Sequence, residues 1–210
     1  MNDLDIRKKR AEVVVRTLKE LFPSPISALH YSTPWEFLVA VILSAQCTDV
    51  RVNIVTKDVF AKYKTVEDYV NASQVEFEQD VYSTGFYRNK TKNILATAKI
   101  IHNKYHDDLP HTMDKMLALP GVARKTANVV LGNAFGIIEG IAVDTHVIRL
   151  APLLGLTTEK TPEKIEQDLM KIVPKEEWTK LSLRLAEYGR KYCPAKKHDH
   201  DHCPLSLILH

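Results

Sequence analysis

One lysine in the window 117–149 stands where its type and position favour amine chemistry. Lys125 begins a helical pattern, where the helix dipole disfavours a protonated amine. A deprotonated lysine with a carboxylate nearby is the arrangement that forms Schiff bases. Asp144, 19 residues further along the chain, supplies a carboxylate. A simpler interpretation stays open, because most single lysines are surface charges and Asp144 is also well placed to cap a helix.

The segment around Lys125 has the pattern of two helices joined by a tight turn. Pro120 ends the first helix, and Gly121 permits a close or left-handed backbone. Helical periodicity resumes over 126–131. The unpaired N–H groups and partial positive charge at the start of the second helix suit a phosphate. The hairpin therefore predicts an anion site, although many helical hairpins only connect two elements.

Helical patterns cover nearly the whole chain, and strand alternation is nowhere sustained. The run Thr33-Pro34-Trp35-Glu36 predicts a helix start in which Thr33 caps the helix and Glu36 reaches back. The helix that follows, to about Ala45, has no polar face, which predicts the buried centre of a bundle. We predict an all-α fold.

Composition and charge limit the class of protein. The 210 residues have a mass of 23.9 kDa, which fits one large domain or two small ones. The hydrophobic fraction of 45% excludes disorder and fibrous repeats. A net charge of +3 and a pI of about 8.6 permit an anionic partner without requiring one. Of two basic stretches, 81–106 and 184–197, each is by itself most simply a solvated face. The first favours nucleic acid, because it also carries the aromatic pair Phe86 and Tyr87.

Cysteine usage and apolar stretches indicate the compartment. Three cysteines, an odd number, fit a reducing environment better than a disulfide scaffold. The N-terminal residues lack the basic segment and apolar core of a signal peptide. The longest apolar stretch, 37–45, is far shorter than the roughly 20 residues of a membrane span. We expect a cytoplasmic protein, associated with the nucleoid if prokaryotic, and no membrane partner.

Five segments, taken in order along the chain, carry a family resemblance. They are 43–49 (LSAQCTD), 84–90 (TGFYRNK), 119–131 (LPGVARKTANVVL), 141–146 (IAVDTH) and 188–193 (YGRKYC). With these segments the chain resembles the helix–hairpin–helix DNA glycosylases, most closely the endonuclease III group. The motifs are long and specific, and the resemblance covers nearly the whole chain.

The resemblance implies two all-helical domains that flank a DNA-binding cleft. One domain combines residues 1–25 with 136–210 and carries Asp144. The other is a middle bundle, 26–135, which contains the helix–hairpin–helix at about 112–131. The expected partner is damaged double-stranded DNA, which the protein would bind as a monomer.

The resemblance also implies a bifunctional DNA glycosylase and AP lyase of base-excision repair. The damaged base is flipped out of the duplex. Lys125 then attacks the sugar C1′ and displaces the base, while Asp144 deprotonates or orients the lysine. The Schiff base allows β-elimination on the 3′ side, and a lysine at this position favours oxidised or ring-saturated pyrimidines. Two alternatives stay open: a mismatch- or uracil-type glycosylase of the same fold, and a catalytically weak DNA-binding module.

Other residues take DNA-binding roles by the same resemblance. Gln46 matches the residue that fills the hole left by the flipped base, and Phe86 occupies the position of a usually aliphatic wedge. Asp49 shapes the base pocket or caps its helix. The hairpin turn holds a backbone phosphate through Gly121, Val122 and Ala123, the last in place of a usual glycine. The remaining predicted DNA contacts are Arg88, Lys90, Arg124, His146, Arg190 and Lys191.

The C-terminal stretch departs from the family pattern. Relatives often carry four cysteines that hold a [4Fe–4S] cluster, and the corresponding positions here are Cys193, His200, Cys203 and Leu209. Because such clusters are held by four thiolates and leucine cannot bind iron, we predict that the cluster is absent and that no other cofactor is bound. Cys193 and Cys203 would then be remnants of a cluster site.

Zinc is the chemically allowed alternative for this stretch. Its ligands would be the two cysteines and two histidines, although the spacing fits no usual zinc pattern. The candidate histidines are His198, His200, His202 and His210. We expect packing by Leu205, Leu207 and Ile208, rather than a metal, to hold the stretch in place.

Overall fold

The computed structural model describes residues 2–209, apart from the side chains of Leu207 and Leu209. These residues form twelve α-helices and two short 3-10 helices, and they contain no strand, which confirms the all-α prediction. The α-helices are α1 (Asp3–Leu21), α2 (Pro34–Leu43), α3 (Asp49–Lys62), α4 (Val66–Val70), α5 (Gln74–Asp80), α6 (Tyr87–Tyr105), α7 (Met113–Leu117), α8 (Arg124–Phe135), α9 (Thr145–Leu153), α10 (Pro162–Ile172), α11 (Trp178–Lys191) and α12 (Ser206–Leu209). The 3-10 helices are Tyr82–Thr84 and Lys175–Glu177. None of the described helices is both long enough and apolar enough to cross a membrane.

The described residues separate into two compact units. One unit, Ser27–Ile137, contains α2 to α8. The other combines the described residues up to Ile26 with those from Ile138 onward, and it contains α1 and α9 to α12. Each unit has its own apolar core.

Helix α2 lies at the centre of the 27–137 unit. Thr33 caps it by accepting a hydrogen bond from the Glu36 amide at 3.2 Å, and Pro34 occupies the first turn, as the sequence predicts. The Glu36 carboxylate accepts from the Ser32 amide and not from the cap residue. All apolar side chains from Trp35 to Leu43 are buried, and α2 packs against α3, α6 and α8. The predicted buried position of this helix is confirmed.

The core of the second unit is built by α1, α9, α10 and α11. Its buried Arg184 donates from Nε to the Phe22 carbonyl at 3.1 Å and pairs with Glu177. Glu177 also pairs with Lys19 at 2.6 Å. Burial alone would raise the pKa of Glu177, but hydrogen bonds from Lys19 and Arg184 hold it below its ordinary value. This network ties the end of α1 to α11.

Candidate active site and DNA-binding residues

The hairpin that carries Lys125 consists of α7, a tight turn and α8. Gly121 has a φ of +77°, and a Cβ added there would lie 2.8 Å from the Cβ of Asn93 on α6, so both conformation and space require glycine. The Pro120 carbonyl accepts a hydrogen bond from Thr97 Oγ1 at 2.9 Å. The Val122 amide donates to Leu119 O at 3.1 Å. Helix α6 therefore packs against the turn and, through these contacts, fixes the direction in which α8 begins.

Lys125 is the second residue of α8, and its side chain is exposed. Ala123 occupies the N-cap position with extended backbone and makes no side-chain cap bond. Within the described residues of its own unit, Lys125 has no ion-pair partner. The arrangement presents an accessible amine beside a helix N-terminus that suits an anion.

Asp144 belongs to the other unit, at the start of α9. Its Oδ1 accepts a hydrogen bond from the Val147 amide at 2.9 Å, so it does cap the helix. The preceding residues, 141–143, are buried, and Ser182 Oγ on α11 donates to the Ala142 carbonyl at 2.7 Å. The carboxylate is half-buried and held on a rigid segment. Capping occupies one oxygen and leaves the other to act elsewhere.

Gln46 and Phe86 share an unusual backbone. Both have a left-handed φ, +54° and +49°, although neither is a glycine. Gln46 is exposed, and Phe86 is 63% exposed at the start of α6. A left-handed backbone at a residue other than glycine costs stability, and such strain concentrates at functional positions. These features support the predicted insertion of both side chains into DNA.

The predicted basic contacts differ in their exposure. Arg88, Arg190 and Lys191 are exposed, whereas Arg124 and His146 are half-buried. Lys90 is buried: its ammonium donates to the carbonyls of Leu43 and Thr84, each at 2.8 Å, and burial lowers its pKa. The prediction that Lys90 contacts DNA is therefore wrong, because its donors hold the end of α2 and the 3-10 helix together.

Asp49 was predicted to shape a pocket or to cap α3. The cap is Thr48, whose Oγ1 accepts from the Arg51 amide at 3.3 Å, and Asp49 is the first helical residue. Thr48 therefore caps α3 in place of Asp49, and Asp49 stays a predicted pocket residue.

Four side chains near the C-terminus form a group that can hold a metal ion. They are Cys193, His198, His200 and Cys203, whose ligand atoms all lie within 4.8 Å of one another. The prediction of no cofactor is therefore wrong. It rested on the cluster register, in which Leu209 occupies a ligand position, and it set aside the zinc alternative, whose candidate ligands include His198 and His200. His202 is exposed and pairs with Asp199 at 3.0 Å, and His210 lies outside the described residues.

Packing by apolar residues accompanies this group. Leu205 is buried, and Ile208 packs against the same core. The side chain of Leu207 lies outside the described residues.

Comparison with known proteins places the chain in a family. Residues 39–175 match the model of the HhH-GPD superfamily base excision DNA repair proteins. Endonuclease III of Synechocystis sp. is 46% identical over 202 residues, which cover 96% of this chain and 92% of the relative. This chain belongs to the endonuclease III family.

Solved structures of the endonuclease III family agree. A non-covalent endonuclease III–DNA complex is 42% identical, with a TM-score of 0.90 over 96% of this chain and 94% of that one. A trapped endonuclease III–DNA covalent intermediate is 43% identical, with a TM-score of 0.89 over 94% and 93%. The resemblance inferred from the five sequence segments is confirmed.

Proposed function

We propose that this chain removes oxidised or ring-saturated pyrimidines from DNA and then cuts the strand at the abasic site. As a member of the endonuclease III family it is a base-excision-repair enzyme with glycosylase and AP lyase activities. The observation that carries the proposal is the exposed Lys125 in the first turn of α8, since a lysine there provides the nucleophile that a covalent DNA intermediate needs. Its partner is damaged double-stranded DNA, which it binds as a monomer.

Base removal begins when the damaged nucleotide leaves the stack. The Lys125 amine attacks the sugar C1′, the bond from C1′ to the base breaks, and the base leaves with the electron pair and gains a proton. Asp144 accepts a proton from the Lys125 ammonium or orients the amine, and its charge stabilises the cationic sugar. Asp144 can do this while capping α9, because Val147 engages only one of its oxygens.

Strand cutting uses the same lysine. Ring opening of the adduct gives a Schiff base between Lys125 and C1′, which acidifies the C2′ protons. Loss of a C2′ proton expels the 3′ phosphate by β-elimination, and water then releases the lysine.

DNA is held by the 27–137 unit at three places. The hairpin turn and the first amides of α8 bind a backbone phosphate. Phe86 wedges between bases, and Gln46 pairs with the orphaned base through its amide. Exposed Arg88 neutralises phosphate, with its guanidinium stacked 5.5 Å from the Tyr87 ring. We propose that the protein acts in the cytoplasm, at the nucleoid if the organism is a prokaryote.

Borohydride trapping tests the nucleophile. Reduction of the Schiff base should convert the wild-type enzyme to a covalent adduct on a thymine glycol duplex, while Lys125→Ala forms none and still binds DNA. Lys164→Ala is the matched control, because Lys164 is an exposed helical lysine outside the proposed site. Equal adduct yields for Lys125→Ala and the wild type would refute the assignment.

The same assay separates the alternatives. An adduct only on uracil mismatches would indicate a mismatch-type glycosylase, and an adduct only on abasic sites would indicate a lyase without a base pocket. The absence of any adduct would indicate a DNA-binding module. Each result replaces the proposed activity with a defined one.

A further inference from the structure

We propose that Cys193, His198, His200 and Cys203 bind one zinc ion in a closed tetrahedral site. These four are the described residues whose ligand atoms come together in one group: all lie within 4.8 Å of one another. The inference concerns the C-terminal segment of this chain and does not depend on the proposed activity.

Three of the six distances between ligand atoms are close to those around a single ion. His200 Nδ1 lies 3.8 Å from Cys193 Sγ and 3.8 Å from Cys203 Sγ. His198 Nε2 lies 3.6 Å from Cys203 Sγ. In a tetrahedron with zinc bonds of about 2.3 Å to sulfur and about 2.1 Å to nitrogen, a sulfur and a nitrogen are about 3.6 Å apart. The group is thus almost closed around one ion before any ion is added.

The chemistry of the donors also indicates zinc. Two thiolates and two imidazoles are a common structural set for Zn²⁺. A four-iron cluster normally takes four thiolates, and a two-iron cluster with two histidines keeps its cysteines on one iron and its histidines on the other. Here His200 is equidistant from both sulfurs, so the ligands are intermixed as around a single ion. Two thiolates also neutralise the ion, which allows the charge to be buried.

The two sulfurs are already fixed by neighbouring elements. Cys193 follows α11, and its carbonyl accepts from the Arg149 guanidinium at 2.6 Å. The same guanidinium lies 3.7 Å from Cys193 Sγ. Cys203 is held from its own side, since Leu205, two residues on, is buried and its amide donates to the Tyr188 hydroxyl at 3.4 Å. Both cysteines are buried, so the ligands need little reorganisation to bind the ion.

A zinc ion here has a structural role. Four protein ligands leave no open coordination position for water or substrate. The ion closes the loop 193–203, which carries the exposed Lys196 and Lys197. Cys193 precedes these two lysines, and the ligands His198 and His200 follow them. A metal bound at both ends therefore fixes the position of the backbone that carries Lys196 and Lys197.

Metal analysis of the full-length protein tests the proposal. Protein purified without affinity metals should contain about one zinc per chain and no acid-labile sulfide. His198→Ala and Cys203→Ser should lose the zinc on dialysis against a chelator that the wild type withstands. His202→Ala is the control, because His202 lies in the same loop but is exposed and paired with Asp199; it should keep its zinc.

Cobalt exchange gives a readout that does not depend on whether a variant folds. Co²⁺ added to wild-type protein from which a stronger chelator has removed the metal should give the intense visible bands of a tetrahedral site and the ultraviolet charge-transfer band of a cobalt-bound thiolate, and added Zn²⁺ should remove both. Iron with sulfide, a metal-free protein that is fully folded, or a weak octahedral cobalt spectrum would each overturn the proposal. Loss of zinc from His202→Ala together with retention in His198→Ala would assign the wrong ligand and overturn it as well. None of these results depends on glycosylase activity.

Discussion

Replacing Phe86 by glycine should leave the protein more stable than replacing it by alanine, and both changes should weaken its processing of DNA. Phe86 has a φ of +49°, and a left-handed backbone costs a residue with a side chain about 1–2 kcal/mol. The ring is 63% exposed, and both replacements remove it, so the burial it loses cancels from the comparison. Glycine in turn lowers the unfolding free energy by about 0.5–1 kcal/mol relative to alanine, because it makes the unfolded chain more flexible. Phe86→Gly should therefore exceed Phe86→Ala in unfolding free energy by about 0.5–1 kcal/mol.

The sign of this difference is what the measurement checks. Urea unfolding of both variants gives it, and the same pair at Lys99, an exposed position inside α6, serves as the control. There glycine should be the less stable of the two by about 1 kcal/mol, because the helical backbone is unstrained. An Ala variant at position 86 that is as stable as the Gly variant would refute the strain argument.

Removing the Phe86 ring should weaken DNA binding. Stacking of an aromatic ring on bases contributes about 1–3 kcal/mol, so both Phe86→Gly and Phe86→Ala should bind a lesion duplex roughly 5- to 150-fold more weakly. Phe86→Leu restores an apolar wedge and should recover most of the affinity. Fluorescence anisotropy with a thymine glycol duplex measures this. Unchanged affinity in the Gly variant would show that the ring does not enter the duplex.

Two further outcomes follow from buried and exposed charges. Lys90→Met should lower the unfolding free energy by about 1–3 kcal/mol, because two buried carbonyls lose their donor, and should leave the salt dependence of DNA binding unchanged. Arg88→Ala should instead reduce the slope of log K against log salt by about 0.9, with little change in stability. Salt titrations of both variants measure these slopes, and a reduced slope for Lys90→Met with an unchanged slope for Arg88→Ala would contradict the assignment. The pKa of Glu177 is below its ordinary value, so its contribution to stability is present above the unfolded-state pKa and is lost as the pH falls through the folded-state pKa. Glu177→Gln should therefore flatten the fall in unfolding free energy below about pH 4.5, and an unchanged acid limb would contradict the assigned network.

Local patterns in the sequence determined the helices and the family. Thr33 and Pro34 define the start of α2 within four consecutive residues, and the absence of a polar face between them and Ala45 places that helix at a core. The hairpin around Gly121 can also be predicted from the sequence, because it consists of a turn that needs glycine and the helical pattern that follows it directly in the chain. Capping bonds and apolar periodicity involve residues three or four positions apart, so they can be predicted from the sequence alone.

Only the tertiary structure decided which charges are available and which ligands meet. Lys90 lies in a basic stretch with Arg88, but the burial of one and the exposure of the other depend on α2, 47 residues away in the chain. His198 joins two cysteines because the path of the loop after α11 brings it there, although its spacing matches no motif. Burial and coordination arise from contacts between distant segments, and spacing along the chain does not encode the angle at which those segments meet.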